Sequence, residues 1–213
     1  MPYMKLAIFG ATGKTGQVLV EQALNTGYEV VAFARTPSKL SAQNRPTLSV
    51  VQGDILDAEK VSEAVAGVDA VISVLGPTPK QPAFAVSRGT QNIITAMQKQ
   101  GVQRLVISAG AGVRDPLDKP KFIDHIFGFL LHTLSREAVE DMMRAVQLVR
   151  DSDRAWTVVR VPRLNDSPPT GKIRVGYLGA DVGVQLSRAD LADFILKQVN
   201  DQTFLCKAPV ISN

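Results

Sequence analysis

The stretch that decides the fold runs from residue 8 to residue 16 and reads Ile-Phe-Gly-Ala-Thr-Gly-Lys-Thr-Gly. Its glycines, Gly10, Gly13 and Gly16, have the spacing G-x-x-G-x-x-G and directly follow an apolar run that is typical of a β-strand. A strand that ends in such a turn and leads at once into a helix lets the backbone approach a phosphate. The free N–H groups of the helix N-terminus then face the anion. The stretch therefore predicts a site for the pyrophosphate of a dinucleotide.

Two other interpretations fit parts of this stretch. Gly13, Lys14 and Thr15 resemble the end of a phosphate-binding P-loop, G-x-x-x-x-G-K-[ST], but that pattern requires glycine at position 8, where Ile8 stands. An ordinary glycine-rich turn between a strand and a helix fits the motif taken alone. The surrounding sequence therefore has to decide between a ligand site and a plain turn.

Apolar runs and helical patterns alternate along the chain. Strands are predicted at 5–9, 29–34, 48–52, 70–75, 104–108 and 156–161, and a weaker one at 173–178; helices are predicted at 17–24, 57–65, 85–100 and 136–150, with a last helix that has Ser187 as its N-cap and Asp190 in its first turn. Continuously apolar strands that alternate with helices indicate a parallel sheet covered on two sides. We therefore expect an α/β fold, a Rossmann-type doubly wound parallel sheet with helices on both faces. The chain is predicted to be a single domain, 1–213, whose small C-terminal substrate-side region uses the loops 112–135 and 162–185.

Composition limits the partners of the chain. Its 213 residues carry a net charge of +4, with the Lys and Arg residues dispersed, so a nucleic-acid partner is not expected. No apolar run reaches the ~20 residues of a membrane span, and no metal site is predicted. The single cysteine, Cys206, fits a reducing compartment, and we expect the cytoplasm.

A basic pair after the second predicted strand points to the kind of dinucleotide. In this fold an acidic residue at that place binds the ribose 2′-hydroxyl of NAD, whereas a basic one meets the 2′-phosphate of NADP. Arg35 follows the strand directly, Lys39 comes one turn later, and no Asp or Glu lies between Glu29 and Asp54. The pattern predicts NADP as the cofactor, with two solvated surface cations as the alternative.

Further candidates follow the ends of other strands, because ligands of such sheets bind beyond the carboxyl ends of the strands. Asp54 and the backbone of Ile55 are placed for the adenine edge, or Asp54 is a turn or cap residue. The second half of the dinucleotide is expected at Val74, Leu75 and Gly76, and its nicotinamide end at Ser108 and Pro162. A structural role at the strand end is an equal alternative for Ser108.

The chain resembles the atypical short-chain dehydrogenase/reductase group, the NmrA-like NAD(P)-binding proteins, and within it the biliverdin-IXβ reductase/flavin reductase type. The resemblance spans nearly the whole chain and rests on the segments 10–16, 34–40, 53–57, 74–76, 89–94, 101–106 and 187–192. It implies a Rossmann fold and NADP contacts at Gly10, Thr12, Gly13, Lys14, Thr15, Gly16, Arg35, Lys39, Asp54, Ile55, Leu75 and Gly76.

The sequence departs from the alcohol-oxidising members of that group, which use a Tyr-x-x-x-Lys pair to move the hydroxyl proton. Its tyrosines are Tyr3, Tyr28 and Tyr177, and none is followed by Lys four residues on. This departure argues against alcohol dehydrogenation, epimerisation and dehydration of sugars. It favours an acceptor that takes hydride without a protein proton donor at the reacting carbon.

The leading hypothesis is an NADPH-dependent reductase of a small-molecule acceptor that is flat and conjugated, such as a flavin, a quinone-like compound or a tetrapyrrole. Its pocket is predicted to be lined by Phe122, Phe127 and Phe129, with His125 and His132 as polar contacts, or else these residues belong to the core. Ser108 and His132 are the catalytic candidates. The alternative is a non-catalytic NADP sensor of the NmrA type, in which the apolar segment 122–134 docks a partner protein; a homo-oligomer is a further option.

Overall fold

The centre of the molecule is an eight-stranded sheet. The computed structural model describes residues 4–42, 45–78, 81–119, 136–179 and 182–213. Its strands are β1 Lys5–Phe9, β2 Glu29–Ala34, β3 Leu48–Gln52, β4 Ala70–Ser73, β5 Arg104–Gly110, β6 Ala155–Val161, β7 Arg163–Asn165, β8 Arg174–Gly176, β9 Gln185–Ser187 and β10 Val210–Ser212. The sheet has the order β3-β2-β1-β4-β5-β6-β10-β8, and β7 pairs with β9 beside it.

This strand order is that of a doubly wound sheet. Every pair of neighbouring strands is parallel except β8 and β10, which are antiparallel. Strand β1 is an inner strand, third in this order, with Ile8 opposite Ala32 of β2 on one side and opposite Ile72 of β4 on the other. The chain winds outward in both directions from β1, and the crevice at that reversal is where ligands of such sheets bind.

Helices cover both faces of the sheet, as predicted. They are α1 Lys14–Asn25, α2 Ala58–Val65, α3 Ala85–Gln100, α4 Arg136–Arg150 and α5 Arg188–Gln198, with a 3-10 turn at Pro37–Lys39. Alternate residues of β1 enter two separate cores. Leu6 and Ile8 pack with α1 and α5, whereas Ala7 and Phe9 pack with α2, α3 and α4. Strands that are buried on both faces must be apolar throughout, which is the pattern that the sequence shows.

The structure shifts some predicted boundaries. Helix α1 begins at Lys14 instead of residue 17, so the end of the glycine-rich stretch already forms its first turn. Strand β4 ends at Ser73 instead of residue 75, and β5 continues to Gly110 instead of ending at 108. The predicted strand 173–178 is shorter, at Arg174–Gly176. The three-residue strands β7, β9 and β10 were not predicted, because so short a run carries no periodicity.

The start of α5 confirms the predicted cap and also anchors a loop. The Ser187 hydroxyl accepts a hydrogen bond from the Asp190 amide at 3.0 Å. The Asp190 carboxylate in turn accepts from the amides of Thr170 and Gly171 at 2.9 and 3.0 Å. Burial alone raises the pKa of Asp190, but the hydrogen bonds from Thr170, Ser187 and Gly171 outweigh it and hold the pKa below its ordinary value. A charged carboxylate therefore ties the turn at 170–171 to α5. The range 162–185, predicted as a loop, contains the strands β7 and β8, and this turn lies between them.

A buried ion pair holds a second loop against the sheet. Arg160 on β6 is fully buried, and its two terminal nitrogens each donate to one oxygen of Asp118 at 2.7 Å. The guanidinium also donates to the carbonyl oxygens of Ala208 and Val113, and Asp118 accepts from the Leu178 amide. Burial acts to raise the pKa of Asp118, but the hydrogen bonds and charge of Arg160 and the backbone amides lower it overall. The pair thus joins β6, the loop after β5 and the chain after β8.

In the part of the chain that the structure describes, no helix is both long enough and apolar enough to cross a membrane.

We predict that Asp118→Ala lowers the free energy of unfolding by about 3–5 kcal/mol, because it leaves the buried charge of Arg160 without its partner. Urea denaturation at pH 7 measures this. Glu63→Ala is the matched control, because it removes an ion pair of similar length to Lys60, 2.8 Å, that is exposed to solvent. The control is expected to leave the urea midpoint unchanged.

Because of the same ion pair, the difference in free energy of unfolding between wild type and Asp118→Ala depends on pH. A carboxyl whose pKa is lowered by folding stabilises the protein above its unfolded pKa of about 3.9, and this contribution is lost as the pH falls through the lower folded value. The stability difference should therefore be constant from pH 7 to about pH 5 and shrink below about pH 4. An equal difference at pH 7 and pH 3 would contradict this account of the ion pair.

Candidate cofactor site

The glycine-rich stretch forms a tight loop between β1 and α1, and two of its glycines are required by close backbone approach. Gly10 has a φ of +83°, and a Cβ there would lie 2.9 Å from the carbonyl oxygen of Val74. A Cβ at Gly16 would overlap the carbonyl oxygen of Gly10. The first position thus lets the loop pass β4, and the third lets α1 pack against the loop.

The N-terminus of α1 opens onto this loop. Gly13 is the N-cap in an extended conformation, and no side chain within the described residues caps the helix. The amides of the first turn have no intrahelical acceptor, and the helix dipole favours negative charge there. Lys14 begins the helix, and its amine is largely exposed. Backbone donors, dipole and a lysine together suit a phosphate group.

A cleft of about 210 Å³ extends from the loop along the carboxyl edge of the sheet. It runs between the ends of β1, β2 and β4 and the first residue of the turn after β3. Residues predicted to bind the cofactor form most of its wall, namely Gly10, Thr12, Gly13, Arg35, Lys39, Ile55, Val74, Leu75 and Gly76. Four separate segments that are remote in sequence therefore meet at one place.

Arg35 and Lys39 form the basic end of this cleft. Arg35 directly follows β2, and the 3-10 turn Pro37–Lys39 brings Lys39 back to the same wall. Both side chains are exposed, and neither forms an ion pair within the described residues. Two cations that lack a carboxylate partner among the described residues are available to an anion such as a phosphate.

The opposite wall is fixed by Ile55. The Ile55 side chain is buried against Gly89 of α3, and a Cβ at Gly89 would overlap it. The Ile55 carbonyl oxygen accepts a hydrogen bond from the side-chain Nδ2 of Asn92 at 2.9 Å. Asp54 does not line the cleft; its carboxylate accepts from the Leu56 amide at 2.9 Å in a local turn. The contact that the structure shows for Asp54 is therefore that of a turn residue.

The other predicted residues lie around the cleft without lining it. Lys14, Thr15 and Gly16 occupy the first turn of α1 behind the loop. Ser108 lies on β5 opposite Val159, and Pro162 follows β6, so both stand farther along the same edge of the sheet. The segments that carry them are joined where the Ala111 amide donates to the Val161 carbonyl oxygen at 2.7 Å.

The predicted acceptor pocket lies outside the described residues. Phe122, His125, Phe127, Phe129 and His132 all fall within 120–135, which the structure does not describe. Their proposed roles stay predictions. In the part of the chain that is described, no group of three or more potential ligands is placed to hold a metal ion.

Sequence reasoning missed several residues of the site. Thr78 and Gln81, from the loop between β4 and α3, line the cleft and hydrogen-bond to each other at 3.2 Å. Their position just after Gly76 was the available signal. Asp166 was also missed: it lies 3.8 Å from the Lys14 amine and accepts from Arg188 at 2.6 Å. No sequence pattern connects residue 166 with residue 14.

Comparison with known proteins identifies the family of the chain. The family model described as NAD(P)H-binding matches residues 10–202. An uncharacterised chloroplast protein of Arabidopsis thaliana is 30% identical over 182 residues, which cover 79% of this chain and 62% of that protein. The chain thus spans less than two thirds of that relative's own length.

Solved structures share the fold at low sequence identity. A short-chain dehydrogenase/reductase of Veillonella parvula in complex with NADP superposes with a TM-score of 0.84 at 18% identity, over 99% of this chain and 95% of that one. An anaerobilin reductase of Escherichia coli O157:H7 superposes with a TM-score of 0.78 at 21% identity, over 98% and 97%. The family match extends over most of the chain, from the first glycine of the loop to just beyond α5, and the chain belongs to the NAD(P)H-binding family.

Proposed function

We propose that this protein is an NADPH-dependent reductase that transfers hydride to a flat conjugated acceptor, such as a flavin, a quinone-like compound or a tetrapyrrole. The cofactor choice rests on Arg35 and Lys39, two cations that line the cleft and form no ion pair with any residue that the structure describes. The choice of acceptor is supported by the missing Tyr-x-x-x-Lys pair.

The cleft gives the cofactor a direction. The adenosine end lies between the basic pair and Ile55, and the pyrophosphate lies over the glycine loop and the first turn of α1. The nicotinamide end then extends past Gly76 toward Ser108 and Pro162, because the carboxyl ends of β4, β5 and β6 follow one another along the sheet. This orientation is the one that the strand order favours for a dinucleotide.

The basic pair discriminates between the two dinucleotides by charge. A hydrogen bond to a charged group contributes ~1.5–3 kcal/mol, which corresponds to roughly tenfold to a hundredfold in affinity. NAD has a neutral hydroxyl where NADP has a phosphate, so it does not gain this contribution. The absence of an acidic residue between Glu29 and Asp54 also leaves the NAD ribose without its usual acceptor.

The bound dinucleotide supplies the hydride, and the protein binds and orients the two reactants. In this proposal Ser108 contacts the nicotinamide end or the acceptor. Its hydroxyl can donate or accept a hydrogen bond. A ring system that spreads the added charge needs little proton delivery at the reacting carbon. The anaerobilin reductase that shares this fold is consistent with such an acceptor.

We predict that Arg35→Ala weakens NADP binding tenfold to a hundredfold and leaves NAD binding unchanged, and that Lys39→Ala does the same to a smaller degree. Calorimetric titration of both dinucleotides measures the two dissociation constants. Arg45→Ala is the control, because Arg45 is also exposed but donates to Asn25 outside the cleft. An unchanged ratio of NADP to NAD affinity in Arg35→Ala would contradict the proposal that Arg35 binds the 2′-phosphate.

Stopped-flow mixing of NADPH with FMN, a quinone and a linear tetrapyrrole tests the reaction itself. We expect NADPH oxidation above the protein-free rate with at least one of them, and a rate reduced about tenfold or more in Ser108→Ala with NADPH binding retained. Tight NADPH binding with no oxidation of it by any acceptor would contradict the reductase and favour the cofactor sensor.

A further inference from the structure

The loop after β7 brings a carboxylate to the edge of the pyrophosphate site. Asp166 lies 3.8 Å from the amine of Lys14, the first residue of α1, and accepts from Arg188, the first residue of α5, at 2.6 Å. Neither Asp166 nor Arg188 is among the residues predicted to bind the cofactor. One carboxylate thus bridges the first residues of two helices that pack on the same face of the sheet.

The two contacts of Asp166 differ in strength. The Arg188 side chain is only 17% exposed and forms the short contact, so it fixes the position of the carboxylate. The Lys14 side chain is 78% exposed and forms the long one, so its amine is free to turn to another anion. The loop is held again a few residues later, where Thr170 and Gly171 donate to the buried Asp190. Arg188 and the anchored residues 170–171 therefore hold Asp166 3.8 Å from the Lys14 amine in this structure.

We propose that Asp166 competes with the cofactor pyrophosphate for Lys14 and thereby limits how tightly the dinucleotide is held. Without a ligand, Asp166 neutralises the lysine. When the pyrophosphate arrives at the first turn of α1, the amine exchanges the carboxylate for the phosphate, while Asp166 remains on Arg188. This inference rests on the cofactor half of the proposed function, the placement of the pyrophosphate at this loop.

The exchange lowers the affinity for the cofactor and favours its release. The cofactor must displace a contact that the protein already makes, and a fixed negative charge remains near its phosphates. Exposed ion pairs are weak, so the effect on affinity is about two- to fivefold. A cofactor that must leave after each hydride transfer gains from a nearby carboxylate that takes the lysine back, because faster release supports faster turnover.

The test compares NADP with adenosine 2′-monophosphate, which carries the 2′-phosphate but no pyrophosphate. Asp166→Asn keeps an oxygen for Arg188 and removes the charge. We expect it to bind NADP about two- to fivefold more tightly than wild type at low salt, with a smaller gain at 0.15 M salt, and to bind adenosine 2′-monophosphate unchanged. Asp193→Asn is the control, because it removes an equal charge from the same side of the molecule, at the exposed Lys197 pair.

A double-mutant cycle separates the exchange from a general charge effect. If Asp166 acts through Lys14, the gain from Asp166→Asn disappears in a Lys14→Gln background. NADP affinity that is unchanged or weaker in Asp166→Asn, or a gain that persists without Lys14, would overturn the inference and leave the proposed function standing. Failure of wild type to bind either nucleotide would overturn both.

Discussion

The close approach of the loop after β1 to its neighbours is the constraint on which the site depends. A Cβ at Gly10 would press on the Val74 carbonyl, and one at Gly16 would overlap the Gly10 carbonyl. Without side chains at these positions, α1 can begin at Lys14, directly behind the loop that follows β1. A bulkier loop would move the helix away from the phosphates and remove its dipole from the site.

In the proposed complex, charge makes this dinucleotide cleft selective for NADP. The basic end, Arg35 and Lys39, makes no ion pair within the described residues, whereas Lys14 at the phosphate end is within reach of Asp166. The two ends therefore work in different ways. In the proposed complex the first adds affinity for NADP, and the second limits the affinity for NADP and NAD alike. Elsewhere, the buried Arg160–Asp118 pair and the buried Asp190, which accepts from the Gly171 amide, anchor segments that do not line the cleft.

The sequence predicted the parts of the fold that rest on local patterns. The apolar runs gave β1, β2 and β3 their bounds, and the cap formed by Ser187 and Asp190 appeared as expected, because each depends on neighbours in sequence. Nine predicted cofactor residues meet in the cleft, since the carboxyl ends of parallel strands share one edge. What sequence could not supply were contacts between remote segments. Nothing in the chain marks Asp118 as the partner of Arg160, or Asp166 as the partner of Lys14, and a three-residue strand such as β10 has no period to detect.

We propose that an NADP molecule lies in this cleft with its 2′-phosphate on Arg35 and Lys39, and a crystal structure of the protein soaked with NADP is the decisive test. We expect the 2′-phosphate within hydrogen-bond distance of Arg35 and Lys39, the pyrophosphate over the first turn of α1, and the nicotinamide beyond Gly76 beside Ser108. A dinucleotide bound in the reverse direction, or a 2′-phosphate that points into solvent away from Arg35, would contradict the account.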